Sequence, residues 1–518
     1  MHLTLGLHRA LQRHPDAVMT ICGDRTRTFR EVANRVARLA GVLQERGIGA
    51  SDRVALLALN SDRYSECLLA VPWADAVVVP LNTRWSPSEI DYVLEDSGAT
   101  AVVIDDAFVN LLPVIRAADR ELLVLFAGEG PVPEGSVNLE TLIASSSPIP
   151  DARRGGDELA GLFYTGGTTG FPKGVMLTHD NLGVSALGGI TTEPSFGRLG
   201  TCLHAAPMFH LADLFSWNIG VVTGGRHVMI PAFRPDAVLS AIATHRVTSA
   251  VFVPTMIRAL LDYPGLGEHD TTSMRHVLYG GAPMPRSLLE RAMAAFPNAE
   301  FVQAYGMTET AGLITMLAAE DHRQGVNLGA AGRVVAHAEA CIVDAEGNEL
   351  PRGETGEVVV RGDHVTPGYW NRPTETASAF CGDWLRTGDA GVMDADGYIE
   401  VVDRIKDMIV TGGENVYSAE VEAALCTHPG IAAAAVIGLP DPDWGECVHA
   451  VLVARDGISY PDPADIGGHV RSRLAGYKVP RSFEFVEALP MSAAGKVLKR
   501  ELRAQAAATQ SEELSTPH

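Results

Sequence analysis

Residues 164–175 of the chain read YTGGTTGFPKGV, and this stretch constrains the fold more than any other. Its closely spaced glycines and threonines are unsuited to the interior of a helix or a strand. They suit a loop that turns backbone N–H groups and hydroxyls toward an anion, with Lys173 adding a positive charge. The alternative is a flexible surface loop, which would not need so many hydroxyls beside a lysine. We therefore predict a phosphate-binding loop, and since it lacks Gly-Lys-Ser/Thr, a P-loop kinase or ATPase is disfavoured.

The segments around this loop alternate between helix and strand signals. Two capping boxes, Thr28 to Glu31 and Ser86 to Glu89, predict the starts of two helices. Strands are predicted at residues 53–59, 100–104 and 276–279, and a further apolar run spans residues 76–81. The last of these strands leads through Gly280 and Gly281 into a helix that begins near Pro285. This alternation predicts βα units and mainly parallel sheets, which is an α/β fold.

The pattern changes near residue 400, where a smaller α+β unit is predicted. From Ala419 the chain reads as a helix, strands at 431–437 and 448–453, a helix, and a strand at 483–486. The whole chain has 518 residues, which is too long for one hydrophobic core. We therefore predict a large N-terminal domain at 1–402, a hinge at 403–408, a mobile C-terminal domain at 409–503 and a disordered tail at 504–518.

Composition narrows the classes of partner. The formal net charge of -22 disfavours nucleic acid and anionic membrane, because both attract lysine and arginine. Seven scattered cysteines without a Cys-x-x-Cys pattern indicate free thiols in a reducing compartment. The longest apolar run, residues 68–81, is interrupted by Asp75 and is too short to span a bilayer. A cytoplasmic protein without an integral membrane segment is expected, and the sequence gives no indication of its oligomeric state.

Further motifs follow the loop in a characteristic order. They are QAYGMTE at 303–309, TGD at 387–389, DRIKDMIVTGGENVY at 403–417 and MSAAGKVLKR at 491–500. Together with the loop they resemble the adenylate-forming superfamily, which includes acyl-CoA synthetases, beetle luciferases and the adenylation domains of peptide synthetases. The resemblance covers almost the whole chain. It implies that a carboxylate attacks the α-phosphate of ATP, so cations and N–H donors are needed where two anions meet.

The resemblance also implies roles for individual residues. The β- and γ-phosphates of ATP would be held by the loop, that is by Thr165, Gly166, Gly167, Thr168, Thr169, Gly170 and Lys173. Tyr305 would stack on adenine, with Gly280, Gly281, Ala282 and Gln303 along the edge of the base. The neighbouring residues Ala304, Gly306 and Met307 would also bind the nucleotide. Thr308 would bind the α-phosphate and Glu309 would bind Mg²⁺. Asp389 would accept from the ribose hydroxyls, supported by Arg404, and Lys496 would bridge the carboxylate and the α-phosphate.

The second half-reaction is implied by the hinge motif. Lys406 matches the pivot at which such enzymes reorient the small domain between adenylate formation and thioester formation. Gly412, Gly413 and Glu414 would line the tunnel for the pantetheine arm of coenzyme A. Trp444 would stack on the adenine of CoA, and Arg84 or Lys478 would meet its phosphates. Simple packing is an equally good reading of Trp444.

The sequence leaves the identity of the acid and of the acyl acceptor partly open. Amino-acid-specific relatives carry an aspartate where this chain has His210, which favours a plain hydrophobic aliphatic or aromatic acid, with His210 and Leu214 in the pocket wall. An acyl-CoA synthetase that uses ATP, Mg²⁺ and CoA is the favoured reading. One alternative is an enzyme that transfers the acyl group to a carrier protein or stops at the adenylate. The other alternative is a non-catalytic protein that binds a nucleotide or acyl-CoA.

Overall fold

The computed structural model describes residues 1–116, 122–166, 172–198, 200–411, 414–441, 444–455, 457, 460–491 and 497–506. The β-strands in chain order are β1 (Val18–Cys22), β2 (Arg25–Thr28), β3 (Arg53–Leu57), β4 (Val77–Pro80), β5 (Ala99–Ile104), β6 (Leu123–Phe126), β7 (Val137–Asn138), β8 (Leu159–Thr165), β9 (Lys173–Thr178), β10 (Thr201–His204), β11 (Arg226–Met229), β12 (Ser249–Phe252), β13 (His276–Gly280), β14 (Glu300–Tyr305), β15 (Thr315–Leu317), β16 (Gly332–Val334), β17 (Glu339–Val343), β18 (Thr355–Arg361), β19 (Phe380–Cys381), β20 (Trp384–Met393), β21 (Tyr398–Arg404), β22 (Ile409–Thr411), β23 (Glu414–Val416), β24 (Ile431–Asp441), β25 (Gly445–Ala454) and β26 (Ser482–Phe485).

The α-helices are α1 (Leu5–Arg13), α2 (Phe29–Glu45), α3 (Asp62–Trp73), α4 (Pro87–Ser97), α5 (Leu112–Ile115), α6 (Leu139–Ser145), α7 (His179–Thr192), α8 (Leu211–Thr223), α9 (Pro235–His245), α10 (Pro254–Leu261), α11 (Arg286–Ala295), α12 (Ala319–Gln324), α13 (Pro373–Ala379), α14 (Ser418–Cys426) and α15 (Pro463–Arg471). Short 3-10 turns include Thr308–Thr310 and Ile405–Asp407.

The first of two compact units contains residues 1–340, 360–385 and 396–399. One of its sheets has the strand order β7-β6-β5-β3-β4-β8-β9, in which every neighbouring pair is parallel except the β8–β9 hairpin. A second sheet contains the run β2-β1-β11-β10-β12-β13-β14-β15-β16, which is parallel from β1 to β14 and antiparallel at both ends. These sheets confirm the predicted α/β class.

Local signals in the sequence explain where several of these elements begin. The side chains of Thr28 and Ser86 each accept from a backbone N–H three residues on, as the two capping boxes predict. The helix predicted near Pro285 is α11. Strand β3 ends at Leu57, two residues earlier than predicted, because the N–H of Leu59 donates to the Asp105 carboxylate at 2.8 Å.

Eight alternating charges form a closed ring of ion pairs in this unit, which we call the charge ring. It connects β2, α2, α3 and α6 with the segment after β6, and two of its acids, Asp62 and Glu66, are completely buried. Each arginine bridges two acids, so the charges cancel around the ring. In order, its members are Arg25, Asp62, Arg27, Glu66, Arg35, Glu140, Arg63 and Glu129.

The second unit contains residues 341–359, 386–395 and 400–518, so far as they are described. Its sheet has the order β23-β22-β25-β24, with β26 parallel to β25. Strand β24 continues to Asp441, although residues 431–437 were predicted, because it stays paired with β25 up to the turn at Gly445. The predicted tail is corrected at its start: residues 504–506 are helical, since Leu502 and Ala506 are buried against this sheet, and residues 507–518 lie outside the described part.

Candidate active site

The predicted phosphate loop connects the two strands of a hairpin in the first unit. Thr165, the last residue of β8, pairs with Lys173, the first residue of β9, so both ends of the loop are fixed by the sheet. Gly166 is exposed next to Thr165, whereas the loop residues Gly167, Thr168, Thr169 and Gly170 lie outside the described residues. The hydroxyl of Tyr164 donates to Asp96 Oδ2 at 2.7 Å and holds the end of β8. Burial, and then Asp96, raises the pKa of Tyr164, so the phenol remains a donor.

Lys173 is linked to Glu309 through an aromatic ring that the sequence analysis did not select. The ammonium of Lys173 lies 5.4 Å from the centre of the Tyr369 ring. The hydroxyl of Tyr369 donates to Glu309 Oε1 at 2.9 Å. Burial raises the pKa of Tyr369, and the charge and hydrogen bond of Glu309 raise it further. The phosphate-loop lysine and the predicted metal carboxylate are therefore brought into one connected group.

The segment 366–370 joins β9 to this glutamate by backbone hydrogen bonds. The N–H of Trp370 donates to the carbonyl of Gly174 at 2.8 Å, and the N–H of Thr366 donates to the carbonyl of Glu309 at 2.8 Å. The carboxylate of Glu309 is thus held in place from both its backbone and its side chain, and only 7% of this residue is exposed.

The ends of two neighbouring parallel strands bring the predicted adenine residues together. Gly280 pairs with Ala304, so the residues after β13 and those at the end of β14 share one edge of the sheet. A Cβ atom on Gly280 would lie 2.2 Å from the carbonyl oxygen of Ala304, which only glycine avoids. Gly281 has φ +76°, a conformation that glycine adopts without strain. The remaining members of the group lie half-buried on these two strand ends: Ala282, Gln303, Tyr305, Gly306 and Met307.

Thr308 begins the 3-10 turn that follows β14. The N–H of Gly312 donates to the carbonyl of Met307 at 3.0 Å and closes this turn. A Cβ atom on Gly312 would lie 3.5 Å from the carbonyl oxygen of Leu211, the first residue of α8. The turn that carries Thr308 and Glu309 is therefore next to the start of α8, where His210 lies.

Helix α8 is buried on most of its surface, so its faces are distinguished by what each residue contacts. Leu214 is 4% exposed and lines a core cavity with Leu68 and Trp217. Ala212, Ser216 and Ile219 follow one another at intervals of four and three residues and share a different face. Ala212 is exposed, while Ser216 and Ile219 line a small cavity above β12 and β13. His210 precedes the helix, and its ring lies 4.3 Å from that of Phe209.

We call the space along this second face of α8 the slot. Ser216 and Ile219 line it from the helix, and Leu278 and His276, on alternate positions of β13, line it from the sheet. Ala212 and Gly280 continue these two faces outside the cavity. From Ala212 to Ile219 the helix rises by about 10 Å. Small residues therefore lie at the end beside the turn of Thr308, and polar groups lie at the far end.

The far end of the slot contains hydroxyl and imidazole groups among apolar side chains. The Ser249 hydroxyl donates to Cys202 Sγ at 3.3 Å. The Ser216 hydroxyl makes no hydrogen bond to any residue that the structure describes, although Ser216 is only 5% exposed. The Nδ1 atom of His276 makes no hydrogen bond within the described ranges, but it lies 3.8 Å from Glu300 Oε2. The remaining lining is Phe196, Ala250, Val251 and Leu278.

The predicted ribose residues lie in the second unit and contact each other. Arg404 Nε is 2.7 Å from Asp389 Oδ1, and Asp389 is 3% exposed. The N–H of Asp389 donates to the hydroxyl of Thr387 at 3.1 Å, which itself donates to the carbonyl of Val358 at 2.7 Å. The carboxylate of Asp389 is therefore held in one orientation by β20 and β21.

The predicted hinge and tunnel are only partly described. Lys406 is exposed within the 3-10 turn Ile405–Asp407, and Glu414 is exposed at the start of β23, where it pairs with Thr411. Gly412 and Gly413, between these two strands, lie outside the described residues, as does Lys496. The roles assigned to these residues stay predictions.

The residues predicted to meet CoA have separate surroundings. In the second unit, Trp444 is 46% exposed, and the guanidinium of Arg481 lies 4.5 Å from the centre of its ring. The ammonium of Lys478 is 2.6 Å from Glu420 Oε2, so its charge is already balanced. Arg84 is an exposed residue of the first unit. Arg481 was not selected from the sequence, because nothing in its spacing distinguishes it from other surface arginines.

Three general findings concern metal ligands, long apolar helices and cysteines. Within the described ranges, no group of three or more histidine, cysteine, aspartate or glutamate side chains is arranged to hold a metal ion. No described helix combines the length and apolarity needed to cross a bilayer. All seven cysteines are free, as expected.

Comparison with known proteins gives matches along almost the whole chain. Residues 7–370 match the family described as AMP-binding enzyme, and residues 420–496 match the AMP-binding enzyme C-terminal domain. The chain is 40% identical to a feruloyl-CoA synthase of an Amycolatopsis species, over 96% of this chain and 97% of the relative. It is 36% identical to a fatty acid–[acyl-carrier-protein] ligase of Streptomyces coeruleorubidus, over 95% and 94% of the two chains. Its structure resembles that of o-succinylbenzoate CoA synthetase from Bacillus subtilis in complex with its acyl-adenylate intermediate, with a TM-score of 0.84 and 32% identity over 96% and 97% of the two chains.

Proposed function

Because this chain belongs to the AMP-binding enzyme family, as an acyl-CoA synthetase that works through an acyl-adenylate, we propose that its acid is a hydroxylated aryl acid of the cinnamate type. The observation that carries this proposal is the slot, a small cavity beside α8 in which the Ser216 hydroxyl lies among apolar side chains. We infer that a planar ring enters between α8 and β13 when the acid binds, so that an oxygen on its far edge reaches the Ser216 hydroxyl, which makes no hydrogen bond to a described residue. The 40% identity to a feruloyl-CoA synthase supports the same class of acid.

The far end of the slot disfavours a long alkyl chain. A methyl group there would leave the Ser216 hydroxyl buried without a hydrogen bond, which costs free energy. An ammonium group finds no counter-ion on this part of α8 either. The acidic residue of the helix, Asp213, is completely buried and its Oδ2 atom lies 2.7 Å from His204 Nδ1. Amino acids are therefore poor candidates, as the histidine at position 210 also indicates.

The reaction proceeds in two steps, adenylate formation and thioester formation. A carboxylate oxygen of the acid attacks the α-phosphorus of ATP, the bond to the β-phosphate breaks, and pyrophosphate leaves. The thiol sulfur of CoA then attacks the carbonyl carbon of the adenylate, the bond to AMP breaks, and the thiol proton passes to solvent. The first step brings two anions together, so we assign the positive charge of Lys173 and the hydroxyl of Thr308 to the phosphates.

We assign Mg²⁺ to Glu309, with the phosphates and water as the other oxygen ligands. The donor set fits, because the side chain is a hard carboxylate held by Tyr369, and Mg²⁺ commonly uses one or two carboxylates plus substrate phosphates. When bound, the ion would offset negative charge on the pyrophosphate that leaves. The role of Tyr369 is to keep the glutamate in one orientation.

We propose that Lys496 acts in the first step, the formation of the adenylate. We propose that residues 403–408 act as the hinge between the first step and the second. The exposed pair of Trp444 and Arg481 is our candidate for the nucleotide end of CoA, with the indole face for the adenine and the guanidinium for a phosphate. Lys478 is a weaker candidate because Glu420 already balances its charge. We propose a cytoplasmic location, which the free cysteines and the need for ATP and CoA support.

The test is an acid panel incubated with ATP, Mg²⁺ and CoA, with the products identified by mass. Hydroxycinnamic acids should give acyl-CoA, AMP and pyrophosphate with a higher kcat/KM than octanoate, dodecanoate or phenylalanine. Omission of Mg²⁺ should abolish turnover. A preference for the fatty acids would overturn the aryl-acid assignment, and acylation of a holo carrier protein without acylation of CoA would overturn the assignment of the acceptor.

A further inference from the structure

A chain of three buried polar side chains connects α8 to the sheet beneath it. His204 Nδ1 lies 2.7 Å from Asp213 Oδ2, and His204 Nε2 lies 2.9 Å from His227 Nδ1. All three residues are completely buried. They come from three elements: Asp213 from α8, His204 from β10 and His227 from the neighbouring parallel strand β11. We call them the Asp-His-His chain.

The two histidines are held against each other and against α8. Their rings meet edge to edge, with centres 5.2 Å apart and an angle of 19° between the planes. A Cβ atom on Gly220 would lie 2.6 Å from His227 Cε1, so the helix can approach this ring only because residue 220 is glycine. Asp213 and Gly220 are seven residues apart, which is two helical turns, so the chain fixes α8 at two points along one side.

The charges make this arrangement specific. Burial raises the pKa of Asp213, and His204 opposes that effect through its charge and its hydrogen bond. Burial, with a further contribution from His204, holds the pKa of His227 well below its usual range. A buried carboxylate has no equally good position elsewhere, since rotation of α8 would separate it from its partner. An apolar contact at the same place would tolerate such a rotation.

The face of α8 fixed in this way is next to the face that borders the slot. Asp213 precedes Ser216 by three residues, so the two side chains point about 60° apart around the helix axis. We propose that the Asp-His-His chain is a positioning device that sets the rotation of α8 and thereby the specificity for the acid. Asp213, His204 and His227 are positioning residues that act through Ser216. This inference rests on the proposed aryl-acid function.

The measurement is the ratio of kcat/KM for 4-hydroxycinnamate to that for unsubstituted cinnamate. This ratio does not depend on the fraction of enzyme that is folded, so a loss of stability alone cannot change it. In Asp213→Ala the ratio should fall by about fivefold and at most by about tenfold, because Asp213 acts through the Ser216 hydroxyl and a displaced hydroxyl can lose no more than its one hydrogen bond to the acid. The KM for ATP should stay the same. Asp213→Asn can still bond to His204 and should restore most of the ratio.

Asn218→Ala is the matched control on the same helix. Asn218 is also buried, and its amide donates to the carbonyl of Leu182 at 2.9 Å, away from the Asp-His-His chain. This variant should lose thermal stability without a change in the ratio. Equal falls of the ratio in Asp213→Ala and Asn218→Ala, or no fall in either, would overturn the proposal.

A second variant covers the case in which Asp213→Ala does not fold. His227→Leu keeps the volume of the side chain and leaves His204 Nε2 without its partner, so the ratio should fall in this variant too. An unchanged ratio in folded His227→Leu would contradict the positioning role. If wild-type enzyme converts neither cinnamate, the aryl-acid function has failed. The ratio is then measured with the two best acids that differ by one polar group.

Discussion

The hydroxyl of Ser216 is the group on which we expect recognition of the distal oxygen of the acid to depend. Replacing it with alanine removes one neutral hydrogen bond and leaves the slot otherwise intact, since Ser216 makes no hydrogen bond to any described residue. Such a bond contributes about 0.5–1.5 kcal/mol. Because Ser216 is 5% exposed, little water can replace the lost partner, so we expect the upper part of that range. The kcat/KM for 4-hydroxycinnamate should therefore fall by about fivefold to about tenfold.

The assay measures kcat/KM for 4-hydroxycinnamate and for cinnamate with wild type and with Ser216→Ala. Cinnamate lacks the oxygen, so its kcat/KM should change little or increase slightly when the unpaired hydroxyl is removed. Ser249→Ala is the control: this hydroxyl lines the same cavity, but it already donates to Cys202 Sγ. Its removal should leave the preference between the two acids unchanged. An equal loss for both acids in Ser216→Ala, or a preference as strong as that of wild type, would refute the orientation of the ring inferred from the slot.

Three further outcomes are expected. Lys496→Ala should slow adenylate formation by about a hundredfold or more, yet still convert supplied acyl-adenylate to the thioester. Lys406→Pro should keep adenylate formation and lose thioester formation. A loss of both half-reactions in both variants would contradict the hinge. Arg35→Met should lower the free energy of unfolding in urea by about 3–5 kcal/mol, because it leaves buried Glu66 with only Arg27, 3.7 Å away, and removes one of the two arginines of Glu140, while Arg30→Met, in an exposed pair, should have a much smaller effect. Thermal stability should decrease as the pH falls from about 6.5 to about 4, because histidines that are buried in the folded chain then bind protons only in the unfolded chain. A thermal stability that stayed constant across this window would show that these histidines are not buried as neutral groups. In these residues burial is the main cause that lowers the pKa, to about 4 for His179, about 4 for His337 and about 3 for His364.

Much of the fold could be predicted because its signals are local. The capping boxes at Thr28 and Ser86 depend on residues three positions apart, and both occur as expected. The phosphate loop could be recognised for the same reason, from the residue types within one short stretch. Strand ends were less predictable: β24 continues past Gly438 and Pro440 because its partner strand continues, and no local pattern contains that information.

The parts of the site that were not predicted depend on contacts between distant segments. Tyr369 follows Glu309 by 60 residues, and only the folded chain shows that its hydroxyl reaches the carboxylate. The role of Ser216 was hidden for a different reason. Helix α8 is buried on nearly all sides, so its hydrophobic pattern does not indicate which side chain faces a ligand and which faces the core. Leu214, chosen from its spacing to His210, lines the core cavity with Trp217.

The charge ring has a consequence for recombining this enzyme with its relatives. Its eight members are spread from residue 25 to residue 140, and each touches two neighbours of opposite charge. A crossover placed anywhere between these positions takes some members from one parent and the rest from the other. Unless the second parent carries the same alternation, a buried acid such as Glu66 then faces a missing or like-charged neighbour. Chimeras that exchange this region as one block should fold, whereas those that split it should be recovered mainly as insoluble protein.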